Sequence, residues 1–229
     1  MATIKVTEVI DRVESVLQDN NVRWPRTELQ HWLNEAYVSI VLLRPDANAV
    51  TGTFTCAAGS RQELTAQFSD ALSLLDITRN LATSSNKKVI RVVARSVLDD
   101  QKPTWHTETG TVNIQHYVYN PKHPKEFYVY PPATTSAELE IIYVDSPGRH
   151  TLTSAQLDPT SATVDVIKLD DIYLSPITDW ILYRAYSKDA EFGANEARAA
   201  ASYQAFTAAI GTKSQVDAAA APNPQATVS

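Results

Sequence analysis

The chain has little of what catalytic and metal sites usually need. It contains one cysteine, Cys56, which excludes an internal disulfide and any cysteine-rich zinc site. No G-x-S-x-G sequence occurs, and the six glycines are too scattered to form a phosphate-binding loop. The histidines have no H-x-x-x-H or H-E-x-x-H spacing; they are His31, His106, His116, His123 and His150. These absences predict a protein that is not an enzyme and has no cofactor and no metal.

Runs of basic residues and long apolar runs are also absent. The formal net charge of −6 and the scattered lysines and arginines disfavour a general nucleic-acid-binding protein. The first nineteen residues alternate charged and apolar side chains, which is typical of neither a signal peptide nor a membrane span. We therefore expect a protein made in the cytoplasm. At 229 residues, 44% of them apolar, the chain can bury one core, or one core with an inserted subdomain.

Helical periodicity is clear over residues 1–46. A first helical face carries Val6, Val9, Ile10, Val13, Val16 and Leu17. A second helix follows Pro25, with Thr27 as its expected N-cap and Gln30 completing a capping box. Its expected buried side comprises Leu29, Trp32, Leu33, Ala36, Ile40 and Leu43. The pattern predicts a helical hairpin.

A second helical hairpin is predicted over residues 169–211. Ser175 is its expected N-cap, and Pro176 occupies the first helical position, where a missing N–H costs nothing. Ala199, Tyr203, Phe206 and Ile210 recur at helical offsets in the second helix of this hairpin, and Gly211 is expected to end it. Residues 212–229 are small and polar and contain prolines, which predicts an extended, flexible tail.

The stretch 47–168 has the pattern of strands and turns. A small hairpin is expected around Ala57–Ser60, and a short helix or buried irregular segment over Ser69–Leu81. Residues 149–165 are polar and predict a long loop. Strands are expected at Val89–Val93, His116–Tyr119, Phe127–Tyr130 and Glu138–Val144, the last with Leu139, Ile141 and Tyr143 on one face.

The predicted fold class is therefore α+β. The hairpins 1–46 and 169–211 would form a four-helix core, because neither can bury its apolar face alone. An antiparallel β-rich subdomain (47–168) would be inserted between them, and a flexible tail (212–229) would follow.

Several side chains were candidates for chemistry or binding. The acidic pairs Asp99–Asp100 and Asp170–Asp171 could bind a cation or serve as acid and base, although their places at element ends favour a structural role. The insert is rich in aromatic residues, for which packing and subunit contacts are the favoured use. Trp105 and His106, in a polar loop, form the more exposed candidate anchor.

Three stretches together resemble a known family. They are RWPRTELQHWLNEAYVSIVLLRPDA near the start, YNPKHPKEFYVYPP in the middle and DIYLSPITDWILYRAYSKDAE near the end. In this order they resemble head-to-tail adaptor proteins of short-tailed bacteriophages, of the tail tubular protein A type. The resemblance implies a structural virion protein that forms a ring, typically of twelve subunits. Such a ring would lie in the neck between the portal protein and the tail nozzle or tail fibres, and would continue the DNA ejection channel.

The resemblance also assigns candidate surfaces. Because the C-terminal segment of such adaptors often reaches along the portal, the expected portal-docking residues are Lys213, Gln215, Val216, Asp217, Pro222, Pro224 and Val228. Subunit or lumen contacts are expected from Arg184, Lys188, Asp189 and Glu191. Trp105 and His106 would contact the tail side. Genomic DNA would pass through without sequence-specific binding, because a negative ring repels phosphates.

Two other functions stay open at the level of sequence. The nearest alternative is a tail nozzle or completion protein placed lower in the tail, which would not bind the portal directly. The second is a glycan-binding or glycan-processing module that uses the aromatic insert with Asp99, Asp100 or His106.

Overall fold

The computed structural model describes residues 2–19, 21–82, 87–189 and 193–220, with side chains up to residue 212. The chain forms two compact units, one comprising Met1–Ala47 with Pro147–Ser229 and the other comprising Asn48–Ser146. We call them the helical unit and the β unit. Together their described residues hold five α-helices and two β-sheets, which confirms the α+β class. No helix among the described residues is both long enough and apolar enough to span a bilayer.

The helices lie where apolar residues recur at helical spacing. They are α1 (Val6–Leu17), α2 (Arg26–Leu43), α3 (Arg95–Gln101), α4 (Leu174–Lys188) and α5 (Asn195–Ala220). Helix α1 buries Val6, Val9, Ile10 and Val13, four of its predicted apolar positions. In the helical unit, α4 contacts α5, α2 and α1.

The ends of three helices differ from the sequence-based expectation. Helix α2 begins at Arg26, one residue before the expected Thr27 cap, and the Asn21 side chain accepts a hydrogen bond from the Arg26 N–H at 2.9 Å. Helix α4 begins at Leu174, directly after a 3₁₀ turn, so Ser175 lies inside the helix. Gly211 does not end α5.

The predicted extended tail is wrong for residues 212–220, because α5 continues to Ala220. Alanine has the highest helix propensity, and a glycine inside a helix costs only about 1 kcal/mol relative to it. An alanine-rich segment can therefore continue a helix past Gly211. The remainder of the predicted tail, residues 221–229, lies outside the described residues.

The β unit contains a three-stranded and a four-stranded sheet. Its strands are β1 (Ala49–Thr55), β2 (Gly59–Glu63), β3 (Ala71–Asn80), β4 (Arg91–Val92), β5 (His116–Tyr119), β6 (Glu126–Ala133) and β7 (Glu138–Asp145). The orders are β1-β7-β3 and β2-β6-β5-β4, with all pairs antiparallel except β4 with β5. Strands β5, β6 and β7 confirm their predictions, and Leu139, Ile141 and Tyr143 are buried on one face of β7.

Two expectations for this unit are wrong. Strands β1 and β2 do not pair as a hairpin, because β1 pairs with β7 and β2 pairs with β6 in the other sheet. Residues 69–81 form no helix; they contain strand β3. The register of β3 shifts at three places along β7, and each shift interrupts the alternation of buried and exposed residues from which a strand would be predicted.

The core of the β unit is a cluster of buried apolar side chains. Phe54 and Phe127 meet edge to face, with ring centroids 5.4 Å apart. Strand β7 contributes three side chains to this cluster and strands β3, β5 and β6 contribute others. Burial of apolar surface of this kind is the main stabilising contribution to folding.

The loop after β7 belongs to the helical unit. The predicted insert extended to residue 168, whereas the β unit ends at Ser146. Residues 147–168 are mostly irregular, as expected of the predicted loop, yet His150, Leu157 and Ile167 are buried. Hydrogen bonds from Gln30 and Asn34 of α2 hold this loop in the helical unit.

Candidate interaction surfaces

A polar network joins α2 to the loop that follows β7. The Gln30 side chain donates to the Leu152 carbonyl at 3.2 Å and accepts from the Leu152 N–H at 2.8 Å. The Asn34 amide does the same with the backbone of His150, at 3.0 and 2.9 Å. Each amide thus satisfies one backbone donor and one backbone acceptor of the loop in partly buried contacts, where unpaired groups would be costly.

The His150 ring lies at the centre of this network. Its Nδ1 lies 2.6 Å from Asp165 Oδ2 and its Nε2 lies 2.9 Å from the Tyr37 hydroxyl, which also accepts from the Lys168 N–H at 3.3 Å. Burial lowers the pKa of His150, against the opposing influence of Asp165. The hydrogen bond from His150 holds the pKa of Asp165 low, although partial burial acts the other way. The neutral ring, with Nδ1 protonated, satisfies both partners.

This arrangement resembles an acid–histidine–hydroxyl relay, but its groups are buried. Tyr37 is 1% exposed and burial raises its pKa. Neither the hydroxyl nor the ring is placed to receive a substrate, so the relay fixes the loop against α2. Sequence reasoning missed it, because Tyr37 lies 113 residues before His150.

The expected subunit or lumen residues bind other residues of the helical unit. Arg184 Nε lies 3.1 Å from Glu35 Oε2, and Lys188 Nζ lies 2.6 Å from Glu28 Oε2. Asp189 pairs with Arg23 and accepts from Asn195 Nδ2 at 2.7 Å. These contacts join α4 to α2 and to the start of α5. Glu191 lies outside the described residues.

Aromatic side chains line the contact between α4 and α5. Trp180 faces Phe206 with ring centroids 5.0 Å apart, and Tyr183 faces Tyr203 at 5.1 Å. The two helices are therefore antiparallel. Tyr203 is 45% exposed, and the buried Trp180 Nε1 has no hydrogen-bond acceptor among the described residues.

Helix α5 is longer than its neighbour. In this antiparallel pair, Trp180 lies opposite Phe206 and Tyr183 lies opposite Tyr203. By the same alignment Leu174, the first residue of α4, lies opposite residue 212 of α5. Residues 213–220 therefore extend α5 beyond the start of α4 by about 12 Å, at 1.5 Å per residue. The predicted portal-docking residues 213, 215, 216 and 217 lie on this extension, and those at 222, 224 and 228 lie outside the described residues.

A groove adjoins this aromatic contact. Its volume is about 760 Å³, and it lies between α2, the loop at residues 149–152 and Trp180. His31, Val38 and Arg149 border it and are exposed, as is Leu42 one helical turn beyond Val38. Most of its lining side chains are polar, and the apolar ones are Val38, Leu152 and Trp180. Ligand pockets are mostly apolar, so this lining is not typical of an enclosed ligand site.

The expected exposed anchor in the β unit is wrong in part. Trp105 is fully buried, and its indole N–H donates to Asp99 Oδ1 at 3.0 Å. That hydrogen bond holds the pKa of Asp99 below its usual range. His106 is exposed, and its Nδ1 lies 2.7 Å from the Ser60 hydroxyl. Asp99 and Trp105 therefore have a structural role, and only His106 of the expected pair is accessible.

The remaining chemical candidates also have structural surroundings. Asp171 accepts hydrogen bonds from the Thr3 N–H at 2.9 Å and the Thr3 hydroxyl at 2.6 Å, and so holds the N-terminal segment. Cys56 is buried, and burial raises the pKa of its thiol to about 12, which disfavours the reactive thiolate. Within the part of the chain that the structure describes, no three His, Cys, Asp or Glu residues are grouped to hold a metal ion.

These observations define a class of protein. The chain is an α+β protein whose polar clusters join distant segments of the chain. Helices α2, α4 and α5 carry a groove and a cluster of aromatic rings at its surface. It belongs to the SU10 adaptor protein family, whose model matches residues 4–227, nearly the whole chain. The family confirms the resemblance to phage adaptors: the protein is a structural component of a bacteriophage virion. A comparison with curated proteins found no match.

Proposed function

We propose that this protein is a head-to-tail adaptor that assembles into a ring, of twelve subunits, between the portal and the tail nozzle. The ring would continue the channel through which DNA leaves the capsid, and tail fibres would attach on its far side. Assembly would take place in the host cytoplasm. Membership of the adaptor family over residues 4–227 carries this proposal.

The α5 extension supports portal docking by the C-terminal segment. It reaches about 12 Å past the start of α4 and leads directly into residues 221–229. Short helices without tertiary contacts are marginal in water, so a helix that passes its neighbour is stabilised when a partner covers it. In this proposal the partner is the portal, and the docking residues are those predicted from Lys213 to Val228.

The groove beside Trp180 supports a contact between subunits. Trp and Tyr are the residue types that most often dominate binding energy at interfaces, and Trp180, Tyr183 and Tyr203 form one cluster. The exposed part of this cluster is Tyr203, 45% of which is accessible to a neighbouring subunit. Arg184 and Lys188 would border this contact, since 40% and 47% of their side chains stay exposed despite their ion pairs. The four helices of the helical unit would then form the packed body of the ring.

The net charge supports passage of DNA without binding. A charge of −6 per subunit, repeated around a ring, repels phosphates and keeps the genome from adhering.

Imaging of the purified protein by cryo-electron microscopy, with and without the cognate portal, tests the proposal. We expect closed rings that cap the portal. A chain that stays monomeric in native mass spectrometry and does not bind the portal would contradict it.

Deletion of residues 212–229 tests the docking segment. We expect an unchanged fold, because the last described buried side chain of α5 is Ile210, and clearly weaker portal capture. Replacement of the same residues by a Gly/Ser linker of equal length is the matched control for chain length. Equal capture by the intact and the truncated protein would contradict the assignment of the tail.

A further inference from the structure

Strand β1 has one side that no other strand covers. It lies at the edge of the sheet β1-β7-β3 and pairs with β7 residue by residue, from Ala49 with Val144 to Thr55 with Glu138, without a bulge. Ala49, Val50 and Thr51 are exposed. An uncovered edge presents a row of backbone donors and acceptors that can pair with another strand.

The structure establishes which residues point their backbone groups outward. Cys56 donates its N–H to the Ala137 carbonyl at 2.9 Å, on the β7 side. Thr55, one residue earlier, donates its N–H in the opposite direction, to the Gln67 side chain at 2.9 Å. These two directions alternate along an antiparallel strand. The backbone N–H and C=O groups that point away from β7 are therefore those of Ala49, Thr51, Thr53 and Thr55.

A side chain already pairs with part of this edge. The Gln67 amide accepts from the Thr55 N–H and donates to the Thr53 carbonyl at 2.8 Å, as a neighbouring strand would. Beyond it, the Thr51 N–H and carbonyl and the Thr53 N–H have no such partner among the described residues. Outward groups recur every two residues, about 6.7 Å apart, which is the repeat of an extended polypeptide.

The other three sheet edges carry features that oppose strand addition. Strand β3 is bulged and charged, and its outer side bonds to residues 88 and 90. Strand β2 is bulged and carries Arg61 and Glu63, and β4 has only two residues. Strand β1, with the sequence AVTGTFT, has no charge, no proline and no bulge. Protein edges usually carry such protection unless they serve for pairing.

The surroundings of β1 indicate the character of a guest strand. On the core side of β1, Gly52 leaves room for Phe68, which stacks on Tyr143 with ring centroids 4.4 Å apart. A cavity of about 540 Å³ adjoins the end of the strand, next to Phe54 and Gln67. Of the nearest charged side chains, Arg61 is paired with Glu126 at 2.7 Å, and Glu63 accepts a hydrogen bond from the Thr65 hydroxyl at 2.8 Å. An uncharged guest with alternating apolar side chains matches this site.

We propose that the outer edge of β1 is a docking site for an extended, uncharged segment of a different protein, which adds to the sheet as a fourth strand. Backbone hydrogen bonds at Thr51 and Thr53 supply the affinity, and the cavity beside Phe54 takes an apolar side chain of the guest. A second copy of this chain is a poorer occupant. Its other edges are protected, so it could pair only β1 with β1. Such a twofold contact closes after two copies and could not extend into the proposed ring.

A pair of variants at Thr51 tests the site. Thr51→Pro removes the outward N–H and leaves every bond to β7 in place, and proline is tolerated on edge strands in this orientation. Thr51→Ala keeps the N–H and is the matched control. The probe is a labelled, uncharged peptide, Ser-Thr-Val-Thr-Val-Thr-Val-Ser with blocked ends. It is titrated against the full chain by fluorescence anisotropy while amide hydrogen exchange is followed by NMR.

We expect saturable binding, slower exchange of the Thr51 and Thr53 amides, and about tenfold weaker binding by Thr51→Pro, since one hydrogen bond is lost and the proline ring hinders approach. Thr51→Ala should bind as the original chain does. Gln67→Ala leaves β1 intact and should bind more tightly, because it frees the Thr53 carbonyl and the Thr55 N–H.

The inference would be overturned by no saturable binding by the original chain, by equal binding by Thr51→Pro, or by no gain from Gln67→Ala. Dimers in analytical ultracentrifugation that Thr51→Pro abolishes would overturn it in favour of self-pairing. The proposed function is tested separately, by imaging of rings with the portal. A negative result in one experiment therefore does not decide the other proposal.

Discussion

The two units differ in where their stabilising contacts come from. The β unit is one continuous stretch, 48–146, whose buried amides Gln62 and Asn80 bond to backbone atoms at most 34 residues away. The helical unit combines two segments, and its Gln30 bonds to a loop 122 residues further on. It also buries ionisable groups, His150 and Arg26, the latter paired with Asp11 and Glu14.

Because of this difference, the stability of the two units should depend on different conditions. The core of the β unit consists of apolar side chains, whose contribution does not change with protonation. The helical unit depends on the simultaneous presence of both chain segments and on the charge state of a buried histidine. The first unit is therefore expected to be autonomous, and the second is expected to be sensitive to truncation and to acid.

Producing segments of the chain separately should have the largest effect on folding. Residues 48–146 produced alone should unfold cooperatively, since the apolar cluster is complete within them and Asn48 donates to the Asp145 carbonyl at 2.8 Å near the two ends. Residues 1–47 alone should be largely unfolded, because their helices lose the contacts with α4. Circular dichroism with urea titration measures both. A disordered β fragment, or a stable fragment 1–47, would contradict this difference between the two units.

Acidification gives an intermediate effect. The pKa of His150 is lowered in the folded state, so the unfolded chain binds the proton first as pH falls. The contribution of His150 is complete above about pH 6.5 and declines below it, with a slope of at most about 1.4 kcal/mol per pH unit for one proton. Protonation would also give Nε2 a hydrogen directed at the Tyr37 hydroxyl, which already accepts from Lys168.

The measurement is the free energy of unfolding of the full chain from pH 7.5 to pH 5. His150→Gln should reduce the slope, and His31→Gln, at an exposed histidine of the same unit, should not. Equal slopes for the original chain and His150→Gln would contradict the role of His150. The excised β fragment should show little of this pH dependence.

Removal of a surface ion pair gives the smallest effect. Arg184→Met and Glu35→Gln each break the pair between α4 and α2, whose side chains are 40% and 46% exposed. The expected change in unfolding free energy is under about 1 kcal/mol, because exposed pairs are weak. Chemical denaturation of both variants checks this. A loss above about 2 kcal/mol would mean that surface charges, and not only buried groups, hold the helical unit together.

Local patterns account for the elements that were predicted well. Helical periodicity found α1, α2, α4 and α5, and alternation found β5, β6 and β7. Strand β3 was missed because its three register shifts break the alternation. The end of α5 was misplaced because Gly211 was given more weight than the alanines that follow it. For the candidate surfaces, the sequence predicted subunit or lumen contacts at Arg184, Lys188 and Asp189, but it could not show that their charges are paired within the chain.

The sequence by itself determined the α+β class, the order of helical, β-rich and helical segments, and the likeness to phage adaptors, since these depend on periodicity and short motifs. The tertiary structure alone decided that Trp105 is buried, that His150 joins α2 to the loop after β7, and that β1 presents an open edge. Each of these depends on which distant residues meet. A residue's burial and partners are set by chain segments that approach only when the protein folds, and no local pattern records them.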